Sequence, residues 1–327
     1  MSTLVNVPSL SRILTIAIKV VVLLVFLYLL YFSFARQKEL TALFTEFTKQ
    51  LNTDRLIYLL FALLLVYANW WLEALKWQKL LVPILPIPFL KAFKSVLIGV
   101  TSSIFTPNRV GEYLGRVITI ETKYQLAAMT ALGFSSLIQL IFLCVLGIGS
   151  ANYLIWHSYP IPFGNTLTWI LVILLPITSI LLLKYAKNLY RYLKSKLGHL
   201  WPKLWSQLDY ILRLPFGYFG QVIILTGIRI SVYVLQYWLL LQFFQIDVPE
   251  DLAVATILLG YFIQSGLPLP SFFALIARGE ITLFLWNFFA VNELSILAAS
   301  YGLWVINVVL PALVGMIYVM KIKVKSS

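Results

Sequence analysis

The chain has 327 residues, of which 61% are hydrophobic and only 11% charged. No soluble core absorbs that much apolar surface, so the composition predicts an integral membrane protein and excludes a separate soluble catalytic domain. The formal net charge of +13 comes from basic residues that flank apolar runs, which is the pattern of positive-inside topology and not of nucleic-acid binding.

In chain order, residues 13–34 read as an uncleaved spanning anchor, with Lys19 able to snorkel at its end. Residues 38–53 carry Leu40, Leu43, Phe44, Phe47 and Leu51 at helical spacing among charges, the mark of an amphipathic interfacial helix. A second span covers about 56–77, and Trp70, Trp71 and Trp77 read as an aromatic belt at its end, with Glu73 and Lys76 among them. Residues 96–124 then form a short apolar run that stops at Pro107, followed by Arg109, Glu112 and Arg116. An apolar run of about ten residues is half of what crosses a hydrocarbon core.

Spans follow at about 126–149 and 167–183, and behind them residues 184–214 are the most basic stretch. The next span, about 216–244, holds Arg229 near its middle and leads into an acidic turn with Asp247, Glu250 and Asp251. Residues 252–290 repeat the broken pattern. A short apolar run meets a proline break at Pro268 and Pro270, then Arg278 and Glu280. The last span covers about 294–320, with Pro311 as a kink, and ends in a basic tail.

Charge parity decides between topologies. The segments 76–94, 184–213 and 321–325 all face the cytoplasm only if each broken region returns to the face from which it started. The fold class expected is therefore an all-α polytopic membrane protein, 1–327 as one domain. It has about six full spans and two re-entrant hairpins, 95–124 and 252–290, inserted from opposite faces as an inverted repeat with both termini cytoplasmic.

Ionisable residues beside apolar spans mark functional sites. Arg109, Glu112 and Arg116 lie three and four apart and form one net-positive helical stripe. Gly111 and Gly115 let another backbone approach, and Pro107 leaves amides free at a new helix start. Guanidinium forks suit a phosphate, so Arg109, Glu112, Arg116, Arg229, Arg278 and Glu280 are the expected substrate-binding residues, with Pro107, Gly111, Gly115, Pro268 and Pro270 shaping the site. A lone arginine at mid-bilayer depth costs at least about 2.5 kcal/mol, so Arg229 is expected to pair with Glu112 or Glu280. Two separated histidines, His157 and His199, and one cysteine, Cys144, exclude a metal cluster or disulfide framework. No nucleotide loop is present, and no cofactor is expected.

The string SSIFTPNRVGEYLGR, after two spans and a proline-rich basic connection, resembles the signature of the lysylphosphatidylglycerol synthase transmembrane-region, or flippase-like, family. LPLPSFFALIARGE resembles that family's second segment, with SFFALIA where glycines are usual. The resemblance covers about 56–320. It implies a lipid transporter of the cytoplasmic membrane whose partner is a lipid with an anionic or phosphate-containing headgroup, a phospholipid or a polyprenyl phosphate. With the chain ending just after a span, the aminoacyl-transfer domain of bifunctional relatives is expected to be absent. Two alternatives stand beside transport. One is a membrane glycosyltransferase-like enzyme with Glu112 as base, and the other is a non-transporting scaffold of a lipid-synthesis complex.

Overall fold

The computed structural model describes residues 24, 28, 40–51, 54–104, 106, 110–157, 188, 190–200, 202, 205–206, 216–266 and 271–321. The expected spans 13–34 and 167–183, most of the basic segment 184–214, and Pro107, Arg109, Pro268 and Pro270 lie outside the described residues. The described chain is helical: α1 (Leu40–Gln50), α2 (Leu56–Leu81), α3 (Phe89–Ile104), α4 (Val110–Val117), α5 (Thr122–Trp156), α6 (Phe216–Phe243), α7 (Glu250–Ser265), α8 (Ser271–Trp286), α9 (Glu293–Trp304) and α10 (Leu310–Lys321). Among these residues four helical segments are long and apolar enough to cross a membrane: Leu56–Leu81, Thr122–Trp156, Gly217–Phe243 and Glu293–Lys321.

The bundle is organised around α2 and α6, which run antiparallel along their whole length. Arg55 donates to the Gln242 carbonyl at 3.1 Å, Gln236 to the Ala62 carbonyl at 3.0 Å, and Tyr218 to the Leu80 carbonyl at 2.8 Å. Each of these helices opens a matching series. After α2 come the helical pair α3/α4 and the span α5. After α6 come the pair α7/α8 and the span α9–α10. Because α2 and α6 are antiparallel, the two series run through the bundle in opposite directions, and the two hairpins start from opposite ends.

The halves interlock reciprocally. α3 of the first hairpin lies along α10, the last span of the second half, and α7 of the second hairpin lies along α5, the last span of the first. Thr101 of α3 donates to the Ala312 carbonyl at 2.9 Å, beside Gly315, while Gly147 of α5 sits against Phe262 of α7. Glycines at both crossings remove the side chain that would hold the backbones apart.

The span 293–321 is one helical run with a single wide π turn over Val305–Val309. Pro311 has no N–H to offer the Asn307 carbonyl, and the turn before it widens in place of a sharp break. α1 is not merely interfacial: Phe47 packs on Phe243 and Phe244, ring centres 5.9 and 6.5 Å apart, while Phe44 stays exposed. Of the expected aromatic belt only Trp71 faces outward, because Trp70 and Trp77 are buried where α2 meets its neighbours.

Candidate functional site

α3 and α4 form a tight antiparallel hairpin because their facing positions are small. A Cβ on Gly115 would lie 2.8 Å from both the Gly99 Cα and the Ile98 carbonyl oxygen, and Gly111 sits against the Ser102 carbonyl. Ser95 of α3 donates to the Arg116 carbonyl at 2.7 Å and accepts from the Trp77 indole at 3.0 Å. This contact drives Arg116 inward until it is 1% exposed. At the start of α4 the Gly111 N–H is taken internally, donating to the Thr106 hydroxyl at 2.6 Å.

The burial of Arg116 brings it to Glu73 on α2. Glu73, 3% exposed, holds three cations: Arg116 on Oε1 at 2.7 Å, Lys76 on Oε2 at 2.8 Å, and Arg229 on Oε2 at 3.0 Å. Arg116 also pairs with Glu112, one turn back on α4. Burying these charges is tolerable because each is paired; an isolated one would cost several kcal/mol.

Arg229 therefore pairs with Glu73 and not, as expected from the sequence, with Glu112 or Glu280. The antiparallel packing of α6 on α2 brings these two to the same depth. A second set of contacts fixes its guanidinium: Nε donates to Asn69 Oδ1 at 2.8 Å, and the group lies 5.5 and 5.2 Å from the ring centres of Trp70 and Tyr233. Asn69 in turn donates to Asn307 Oδ1 at 2.7 Å, tying the cluster to the π turn.

Both hairpins wall one cavity of about 610 Å3. Glu112 and Arg116 enter its lining from the first hairpin, Gln264 and Arg278 from the second, and Glu73, Lys76 and Arg229 from the central pair of spans. Four cationic side chains, Lys76, Arg116, Arg229 and Arg278, thus face two carboxylates, Glu73 and Glu112, a surplus of two positive charges among the described residues. Of the residues expected at the site, Glu112, Arg116, Arg229 and Arg278 come together here. Glu280 is exposed and does not line the cavity. Gly111 and Gly115 lie at the close approach of α3 and α4.

Glu73, Lys76 and Asn69 were not among the expected site residues. The signal that finds them is the polar series Asn69, Glu73, Lys76 at i, i+4 and i+7 on an otherwise apolar helix, one buried stripe. Among the described residues no group of three or more His, Cys, Asp or Glu side chains is arranged to hold a metal.

The family profile described as lysylphosphatidylglycerol synthase TM region matches residues 16–315. The chain belongs to this family, and it is an integral membrane protein of lipid-related function. No curated protein matches it.

Proposed function

We propose that this protein moves a lipid with an anionic or phosphate-containing headgroup across the cytoplasmic membrane, the headgroup passing through the central cavity while the acyl chains stay in the bilayer. The observation that carries this reading is the surplus of two positive charges in a cavity walled by two hairpins that start from opposite ends of the bundle. A cavity between oppositely inserted, broken helices is where transporters built from inverted repeats hold their substrate, and arginines match the planar, bidentate geometry of a phosphate. The end that carries Lys79, Lys91, Lys94 and Lys321 faces the cytoplasm, and the end that carries Asp247, Glu250 and Asp251 faces out.

Purified protein in liposomes with fluorescent phosphatidylglycerol in one leaflet tests this. Movement of the lipid to the other leaflet, with its mass unchanged on extraction, is the expected result. A changed mass assigns the protein to lipid-modifying chemistry instead, and movement no faster than in protein-free liposomes removes the transport reading.

A further inference from the structure

We infer that Glu73 is an internal counter-ion standing in for the headgroup anion: an incoming phosphate has to take Arg116 and Arg229 away from the Glu73 carboxylate in order to bind. The inference rests on the transport reading for its ligand, a phosphate oxyanion.

The donor set around Glu73 is that of a bound oxyanion. Two guanidinium groups and one ammonium converge on two oxygens within 3.0 Å, and all three cations line the cavity that receives the ligand. A merely structural ion pair needs one cation, whereas three on one carboxylate leave the cluster more positive than its own acids neutralise.

The two arginines are also placed without help from Glu73. Arg229 is held by Asn69 and lies over Trp70 and Tyr233. Arg116 is held by Glu112, by Ser95 through its carbonyl, and by Trp77, whose ring centre is 5.9 Å from the guanidinium carbon. Among the described residues its Nε is buried with no hydrogen-bond partner, a donor still open. The two guanidinium groups would therefore keep their places when Glu73 lets go, which is what an exchange of one anion for another requires.

Removing the internal anion should then strengthen binding of the external one, because the competitor is gone and the buried cations are left to Glu112 alone. The same change should slow release, since nothing displaces the bound headgroup. A purely structural role for Glu73 predicts the opposite sign for binding.

The test compares the wild-type chain with Glu73→Gln in nanodiscs of dioleoylphosphatidylcholine titrated with dioleoylphosphatidylglycerol, and separately with inorganic phosphate. The expected result is phosphatidylglycerol binding at least about tenfold tighter in the variant, a shift of about 1.4 kcal/mol, together with slower transport in liposomes. Tightening toward phosphatidylglycerol alone assigns the site to a headgroup, and tightening toward inorganic phosphate as well assigns it to the oxyanion in general; both support the inference. Binding that is unchanged or weaker overturns it. If the variant cannot be purified bare, phosphatidylglycerol should restore a monodisperse protein where phosphatidylcholine does not, and failure of both lipids overturns the inference equally. The two readings fail separately: a wild-type chain that transports while the variant binds no tighter removes only the counter-ion role, and a variant that binds tighter while the wild type moves no lipid removes only transport.

Discussion

Arg229 of α6 and Glu73 of α2 form a 3.0 Å ion pair that joins the two halves of the protein. Replacing Arg229 with Leu leaves Asn69 Oδ1 without the donor it has now, while Glu73 keeps Lys76 and Arg116. Breaking a buried pair costs about 3–5 kcal/mol, and with two cations remaining on Glu73 the loss should fall at the lower end. A thermal melt of Arg229→Leu in detergent should show a clear decrease in Tm, and transport should be lost. If both stay at wild-type values, the pair is not the joint between the halves.

The Asn69 to Asn307 hydrogen bond, 2.7 Å long, ties the cation cluster to the π turn ahead of Pro311. Each Asn→Leu change strands a buried amide and should cost about 1–3 kcal/mol. The double variant should cost less than the two single changes together, because the second removes the group that the first left unpaired. Chemical or thermal melts of all four proteins give the coupling directly, and additive losses would show that the two amides act independently.

The closure of the first hairpin depends on Gly115, where a Cβ would lie 2.8 Å from the Gly99 Cα; around Gly133 of α5 a Cβ meets nothing within 4 Å. Gly115→Ala should therefore destabilise by about 1–3 kcal/mol, the range for overpacking, and displace Arg116. Gly133→Ala should be neutral or slightly stabilising, since alanine is the better helix former. Proteolysis of the two variants in detergent ranks them, and equal resistance would refute the close approach.

Much of the fold was legible in the sequence because bilayer thickness constrains it so tightly. Two apolar runs too short to span, each followed by charges, pointed to paired shorter helices, and α3/α4 and α7/α8 are helix pairs at these places. The centre of the site was less legible. Glu73 sits among Trp70, Trp71, Lys76 and Trp77, a composition that also describes an interfacial belt. Only the packing of α6, α3 and α4 around that end of α2 turns it into a core. Arg229 stood out as a charge needing a partner, but which acid lies at its depth follows from the antiparallel register of α2 and α6, a long-range relation that no local pattern carries.

That register also fixes which loops share an end of the bundle. Lys79, near the end of α2, and Asp247, after α6, are both exposed and lie at opposite ends. With Cys144 replaced, single cysteines at these positions should react with a membrane-impermeant maleimide from opposite sides: Asp247→Cys in intact cells, and Lys79→Cys only after permeabilisation. Labelling of both from one side would refute the antiparallel arrangement, and the reverse pattern would invert the orientation given by the positive charges.

Arg278 and Glu280 separate a role in the cavity from mere proximity in sequence. Arg278 lines the cavity, and among the described residues no carboxylate lies within ion-pair distance of it, whereas Glu280 is exposed and outside the lining. Two positions apart on α8, they point to nearly opposite sides of the helix. Arg278→Gln keeps the length and polarity of the side chain and breaks no ion pair among those residues, so the fold should lose less than about 1 kcal/mol. Its loss would remove half of the surplus positive charge. Affinity for phosphatidylglycerol in nanodiscs should drop about tenfold, the effect of about 1.4 kcal/mol, and the salt sensitivity of binding should fall with it. Glu280→Gln, at an exposed position away from that field, should match the wild type in both measurements. A loss of binding in Glu280→Gln equal to that in Arg278→Gln would mean that the headgroup meets the outer face of α8 and not the cavity.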